Sequence, residues 1–204
     1  MAVDDASIDF TVTDRRRCAV IIGAVNTGNS SVEKGTTLQN SVFKSMSNSM
    51  AAWVSMEYQL YGPSLSVNTA CASSAYAMAL GFDMISRGTC DLVIAGGADS
   101  IVNPEEISGF NALYALSTSN DPPEQASKPF SHDRDGFVIG EGAGVVILES
   151  LTHATRRHAR IHGEFAGYAT TSEGYNIMAP AADGEGMAYT MNQALLHAGI
   201  DPGN

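Results

Sequence analysis

A chain of 204 residues with 44% apolar and 16% charged residues is long enough for a hydrophobic core and too apolar to be disordered. Its net charge of −11 argues against nucleic-acid binding, which needs clustered Lys and Arg. A membrane span needs roughly 18 consecutive apolar residues, and no such run is present. The three cysteines lack metal or redox spacing and the first residues form no signal peptide, so a reducing cytoplasm is the expected setting.

The first third of the chain shows two strand patterns separated by a helical one. Residues 18–25 form a short apolar run typical of a buried strand, and residues 30–39 are polar and irregular. Residues 42–58 have helical apolar spacing that ends before the turn signal Gly62–Pro63. Residues 65–69 alternate as a short strand that leads directly to Cys71.

A second helix and strand follow Cys71. Apolar side chains recur at three- and four-residue steps from Ala75 to Ile85, which predicts a helix that stops near Gly88. Residues 91–95 are β-branched and apolar, and they are predicted to form a central strand. The order strand, helix, strand predicts a βαβ unit in a parallel sheet.

The remaining elements keep the chain in the α/β class. Residues 117–128 are predicted to be a polar loop, residues 144–149 a strand, and residues 151–158 a helix. Residues 161–170 alternate in polarity, and residues 186–198 show a final helical pattern.

Cys71 is the cysteine whose position in the sequence favours a catalytic role. It lies where a strand ends and a helix begins, so it faces the unpaired N–H groups of the first helical turn and the positive end of the helix dipole. That environment favours a thiolate, and the same N–H groups could hold an oxyanion. Position alone leaves open the alternative of an inert, buried cysteine, which is the interpretation we favour for Cys18 and Cys90.

Three blocks in the same order and spacing carry a family resemblance. The first is Gly62–Pro63–Ser64 followed by VNTACASSAYAMALGFDMI, the second is LVIAGGADS at 92–100, and the third is ALSTSNDPPEQASKPFSHDRDGFVIGEGAGVVILES at 115–150. Together they resemble the β-ketoacyl synthases, the condensing enzymes of fatty-acid and polyketide assembly. The resemblance extends over essentially the whole chain.

The resemblance implies a fold and a reaction. The expected fold is thiolase-like, five-layered (αβαβα) when complete and here a partial copy. Residues 1–150 would form the remainder of the N-terminal half and residues 151–204 the start of the C-terminal half. The family takes an acyl group onto its cysteine from acyl carrier protein or coenzyme A, and a decarboxylated malonyl thioester then attacks it. The product is a 3-oxoacyl thioester that is two carbons longer.

Site residues follow from the same resemblance. Cys71 matches the nucleophile, and its backbone N–H matches one oxyanion donor. Phe110 matches a position near the acyl pocket, and Phe137 with residues 140–144 matches the loop and strand that support the site. Met178 stands near the expected pantetheine channel, where many relatives carry a hydroxyl.

Neither a metal nor a tightly bound cofactor is expected. The run at 140–144 leads into a strand, unlike a dinucleotide-binding loop, which opens a helix. The segment 133–136 lacks the remaining ligands of a calcium loop, so Arg134 and Asp135 are predicted to form an ion pair or a turn. Substrates would arrive on the phosphopantetheine of an acyl carrier protein.

The two histidines that the family uses for decarboxylation are absent from the sequence. The five histidines present lie in ordinary surroundings; His153 and His158, for example, are predicted to lie on a surface-like helix. We therefore expect that this segment of a longer synthase does not condense malonyl units alone, and that the histidines belong either to the rest of the same synthase or to another chain.

Several alternatives remain open at the level of sequence. They are a chain-length partner subunit, which usually lacks the cysteine, a degradative thiolase acting on acyl-CoA, and an inert fragment. A stand-alone type II enzyme is favoured over a domain of a larger synthase. Expected partners are acyl carrier protein, with Lys34 and Lys44 contributing to docking, and a second ketosynthase-like chain in a homodimer or heterodimer.

Overall fold

The computed structural model describes residues 1–25 and 38–203. Within these ranges, four strands form a mixed sheet in the order β2–β1–β3–β4. The strands are β1 (Cys18–Gly23), β2 (Ser64–Val67), β3 (Leu92–Asp99) and β4 (Gly142–Glu149). The helices are α1 (Ala2–Asp5), α2 (Leu38–Ser45), α3 (Ser49–Glu57), α4 (Ser73–Ser86), α5 (Pro104–Ala112), α6 (Leu151–Arg156) and α7 (Glu185–Ala198), and two 3-10 turns lie at Arg15–Arg17 and Pro123–Gln125.

The two central strands are buried on both faces. In β1, Val20 and Ile22 point towards α3, whereas Ala19 and Ile21 point towards α4. All six residues of β1 and the first six of β3 are buried, which explains why both strands are continuous apolar runs in the sequence. Helix α4 covers one face with Ala77, and α3 covers the other with Ala51.

The predicted βαβ unit is present, with a difference in strand pairing. Strands β2 and β3 are parallel, but each pairs with β1, which lies between them. Strand β4 pairs antiparallel with β3, so the sheet is mixed and not purely parallel. The helical periodicity of the sequence predicts the crossover helix. The order of the strands cannot be predicted from periodicity, because it depends on long-range contacts.

The helical pattern at 42–58 corresponds to two helices and not to one. Helix α2 ends at Ser45 and α3 begins at Ser49, while the start of the predicted polar segment at 30–39 lies outside the described residues. The hydroxyl of Ser49 donates a hydrogen bond to the carbonyl of Met46 at 2.5 Å. Serine and asparagine side chains compete with helical backbone bonds, which accounts for the break.

The alternating segment at 161–170 forms no regular element with any described residue. It packs through side chains instead, because the Tyr168 hydroxyl donates to Asp83 at 2.7 Å and the Tyr168 ring meets Phe82 edge-on. His197 of α7 also contacts the Tyr168 ring, with centroids 5.0 Å apart. This cluster joins α4 to α7. Helix α7 ends at Ala198 and is capped by Gly199, whose left-handed φ of 67° suits a glycine.

His153 is buried, so its predicted surface position is wrong. Its Nδ1 lies 2.7 Å from Oε1 of Glu149, and both side chains are only 8% exposed. Arg157 donates to the two carboxylate oxygens of Glu149 at 2.7 Å each and to the carbonyl of Ala6 at 2.8 Å. Burial opposes ionisation of Glu149, but the hydrogen bonds from Arg157 and His153 prevail and lower its pKa. The four-residue spacing of Glu149, His153 and Arg157 is the sequence feature from which contacts among these side chains could have been predicted.

Replacement of Arg157 tests the importance of this cluster. Arg157→Met leaves the buried carboxylate of Glu149 without its bidentate partner and should reduce the free energy of unfolding by about 3 kcal/mol. Urea unfolding monitored by circular dichroism measures the change. The matched control is Arg156→Met, because Arg156 is exposed and its replacement should cost less than about 0.5 kcal/mol. Equal stability of the two variants would contradict the structural role of the cluster.

Candidate active site

The segment that carries Cys71 is a sharp elbow between β2 and α4. Strand β2 ends at Val67 and α4 begins at Ser73, so five residues reverse the direction of the chain. The amide of Asn68 donates to the carbonyl of Val25 at 3.0 Å, and its oxygen accepts from the Ala70 N–H at 3.2 Å. Asn68 thereby links the elbow to the residues that follow β1.

Cys71 lines a shallow cleft of about 220 Å³ at the edge of the sheet where the parallel strands end. Residues from the ends of β1 and β3 and the first turn of α4 form its walls. The Cys71 side chain is exposed, so a reagent can reach the thiol. The position that the sequence predicted for Cys71, after a strand and before a helix, agrees with the structure.

The elbow fits against the sheet because two paired strand residues are glycines. Gly23 of β1 pairs in register with Gly97 of β3. A Cβ added to Gly23 would lie 2.3 Å from the carbonyl carbon of Ser73, and one added to Gly97 would lie 2.0 Å from the hydroxyl of Ser74. Any side chain at Gly23 would therefore push the first turn of α4 away from the sheet.

The other two cysteines are in a different environment. Cys18 and Cys90 are each 1% exposed and belong to the hydrophobic core. Burial raises the pKa of Cys18 to about 11. Burial also raises the pKa of Cys90, although nearby Arg17 opposes the shift. Both thiols are thus held protonated and away from solvent, in agreement with their predicted structural role.

The structure brings Phe110 and Phe137 together. Their ring centroids are 5.4 Å apart and their planes meet at 79°, an edge-to-face arrangement. Phe137 is fixed by backbone hydrogen bonds to Ala115 and Ser117, both 3.0 Å. Neither ring lines the Cys71 cleft among the residues described.

Met178 does not contact the cleft in the described part of the chain. It is 69% exposed and lies in a loop where its N–H donates to the Asn176 side chain at 2.8 Å.

Of the two lysines expected to contribute to docking, Lys44 is exposed at the end of α2, and Lys34 lies outside the described residues.

The glycine run at 140–144 leads into β4, as expected for a structural segment. Glu141 accepts hydrogen bonds from the Val102 N–H at 2.9 Å and from the Ser100 hydroxyl at 2.8 Å, and these bonds lower its pKa.

Asp135 accepts a hydrogen bond from the Ser117 hydroxyl, which lowers the pKa of Asp135, while Arg134 donates to a backbone carbonyl. Arg134 and Asp135 thus stabilise a turn instead of pairing with each other.

Neither a metal cluster nor a histidine is found at the cleft among the described residues. No group of three or more His, Cys, Asp or Glu side chains has the arrangement of a metal site within residues 1–25 and 38–203. None of the five histidines is among the residues that line the cleft. None of the helices in those ranges is long and apolar enough to cross a bilayer.

Replacing Gly23 with alanine tests the close contact between the elbow and the sheet. The new Cβ would overlap backbone atoms of Ser73 at 2.3 and 2.4 Å, so Gly23→Ala should cost roughly 2 kcal/mol or more in urea unfolding. Gly163→Ala is the matched control, because an added Cβ there meets no described atom within 4 Å. If the two variants were equally stable, the contact would not restrain the elbow.

Comparison with known proteins places this geometry in a family. Residues 1–154 match the model of the N-terminal domain of β-ketoacyl synthases. The chain is 46% identical to 3-oxoacyl-[acyl-carrier-protein] synthase 2 of Rhizobium meliloti, over 75% of this chain and 37% of that protein. It is 34% identical to the synthase of the same name from Vibrio cholerae, over 98% of this chain and 50% of that protein. The chain thus spans about half the length of the Vibrio protein.

Solved structures agree with the sequence comparisons. A type II polyketide acyl-carrier protein in complex with its ketosynthase bound to the hexaketide matches with a TM-score of 0.90 and 32% identity, covering 100% of this chain and 54% of the other. The ishigamide ketosynthase/chain length factor matches with a TM-score of 0.85 and 29% identity, covering 98% and 51%. The predicted thiolase-like α/β fold, present as a partial copy, is confirmed, and the chain belongs to the β-ketoacyl synthase family.

Proposed function

We propose that this chain provides the acyl-accepting part of a β-ketoacyl-ACP synthase, with Cys71 as the nucleophile. The observation that carries the proposal is the contrast among the three thiols. Cys71 is exposed in a cleft beside a helix start, whereas Cys18 and Cys90 are buried. A nucleophile must reach its substrate, and Cys71 is the thiol that a substrate in the cleft can contact.

The first half-reaction is transfer of an acyl group to Cys71. The thiolate attacks the carbonyl carbon of an acyl thioester and forms a tetrahedral oxyanion. We propose that the backbone N–H of Cys71 stabilises this charge. The intermediate collapses by expelling the phosphopantetheine thiolate, which takes up a proton. The acyl group is then linked to Cys71 as a new thioester.

The second half-reaction is the condensation with malonyl-ACP. Decarboxylation of the malonyl thioester releases carbon dioxide and gives a carbanion, which attacks the carbonyl on Cys71 and displaces its thiolate. Because none of the five histidines lines the cleft, this chain alone should stop at the acyl-enzyme. We propose that the histidines are supplied by residues outside this sequence, in the same protein or a partner chain.

The proposed partners follow from the comparisons. One matched ketosynthase structure contains its acyl-carrier protein, which supports an acyl carrier protein as the donor. Another is a ketosynthase/chain length factor, which supports a ketosynthase-like chain as partner in a homodimer or heterodimer. The net charge of −11 means that an acidic carrier would need a local basic patch, to which Lys34 and Lys44 would contribute. Within this proposal the Phe110–Phe137 pair contacts the acyl chain, and Met178 lies beside the pantetheine.

Two further expectations belong to the same proposal. Residues 1–150 form the nucleophile-bearing half and residues 151–204 begin the second half. The setting is the cytoplasm, which three free cysteines support, and the substrates bring their own phosphopantetheine, so no bound cofactor is required.

Intact mass after incubation with an acyl thioester tests Cys71 directly. The wild-type chain should gain the mass of one acyl group, and Cys71→Ala should gain none. Cys90→Ala is the matched control: it removes a buried thiol and should still accept one group. Comparison of acyl-ACP with acyl-CoA as donor separates the synthase from a thiolase, which would favour the CoA ester. Acylation of Cys71→Ala, or of no variant, would contradict the assignment of the nucleophile.

A further inference from the structure

The residue before the nucleophile has an unusual backbone conformation. Ala70 has a φ of 51°, in the left-handed region that residues with a Cβ rarely adopt. Such a conformation persists only where surrounding contacts hold it. The contacts that hold Ala70 therefore decide where the next residue, Cys71, points.

Three groups hold Ala70: the Asn68 side chain accepts from its N–H at 3.2 Å, and the backbone N–H of Ser73, at 3.0 Å, and the Ser73 hydroxyl both donate to its carbonyl. Of these, the Ser73 hydroxyl acts from the interior of the elbow. The Ser73 side chain is buried, with the residue only 3% exposed. The hydroxyl accepts a hydrogen bond from the Thr69 N–H at 2.9 Å and donates one to the Ala70 carbonyl at 2.6 Å. One hydroxyl thus bridges the Asn68–Thr69 peptide unit and the Ala70–Cys71 peptide unit.

Helix capping does not explain this serine. A serine that caps a helix occupies the N-cap position and accepts from N–H groups further along the helix. In α4 the N-cap is Ala72, which has no side-chain cap, and Ser73 is the first helical residue. Its hydroxyl bonds backwards into the elbow, and its backbone is held against Gly23 of the central strand.

We propose that Ser73 is the positioning residue for Cys71. Its hydroxyl holds Ala70 in the left-handed conformation and so keeps the thiol and the adjacent N–H groups in the arrangement needed for acyl transfer. Without the hydroxyl, the Thr69 N–H loses its acceptor and the Ala70 carbonyl loses one of its two donors, so Ala70 populates negative φ more often, which turns Cys71. This inference rests on the proposed acyl transfer to Cys71 and adds a determinant of its rate.

The test compares two reactions of the same thiol in the 204-residue chain. Acyl transfer from an acyl thioester requires alignment of the thiol with the oxyanion donors, whereas alkylation by iodoacetamide requires only an accessible thiolate. Ser73→Ala should slow acylation of Cys71 roughly tenfold or more. Alkylation of Cys71 should change by less than about twofold, because the thiol stays exposed.

Two further variants separate positioning from a loss of stability. Ser55→Ala removes another hydroxyl that bonds a backbone carbonyl, at 2.9 Å, and should leave both rates unchanged. In the Ser73→Ala background, Ala70→Gly removes the Cβ that disfavours the left-handed conformation and should restore part of the acylation rate. Thermal unfolding of each variant gives the folded fraction for correcting both rates.

Each outcome either supports the role of Ser73 or overturns it. A selective loss of acylation that Ala70→Gly partly restores supports it. Equal acylation of the wild type and Ser73→Ala overturns it, as does a parallel fall of acylation and alkylation with the folded fraction. Failure of Ala70→Gly to restore any acylation also overturns it. Absence of acylation in the wild-type chain contradicts the proposed function itself and removes the basis for this role.

Discussion

The geometry of the candidate site depends on the close approach of the first turn of α4 to the end of β1. Gly23 permits this approach, because a Cβ there would lie 2.3 Å from the backbone of Ser73. Helix α4 can then start directly above the edge where β1 and β3 end, and the elbow before it has to turn within five residues. The left-handed Ala70 and the exposed Cys71 are consequences of that short turn.

Part of this arrangement could be predicted from the sequence. β1, β3 and α4 have strong periodic or apolar signals because burial on one or both faces dictates their residues. The antiparallel pairing of β4 depends on long-range contacts, and local patterns carried no sign of it. His153 had a local signal in its four-residue spacing from Glu149, but its burial was not evident from the sequence. Cys71 was recognisable from its position between strand and helix only together with the family resemblance of the surrounding sequence. Ser73 was not, since a serine in a first helical turn is ordinary until its hydrogen bonds are known.

The three cysteines show how the fold assigns different chemistry to one residue type. Core packing encloses Cys18 and Cys90, and desolvation raises the pKa values of both thiols. Cys71 escapes the core because it lies beyond the end of the sheet. In the proposed reaction, acyl transfer uses the thiol of Cys71, which the elbow exposes, whereas decarboxylation needs groups that the cleft does not contain among the described residues. For this reason we propose that the chain alone performs acyl transfer but not decarboxylation.

The most direct test of this account is to measure how the acylation of each cysteine depends on folding. The rate of acyl transfer from a thioester is followed by peptide mass spectrometry in buffer and in urea that unfolds the chain. The account predicts that acylation of Cys71 is roughly tenfold or more faster in the folded chain, whereas Cys18 and Cys90 react only after unfolding. Equal rates for Cys71 in both states, or an even distribution of acyl groups over the three cysteines of the folded chain, would contradict it.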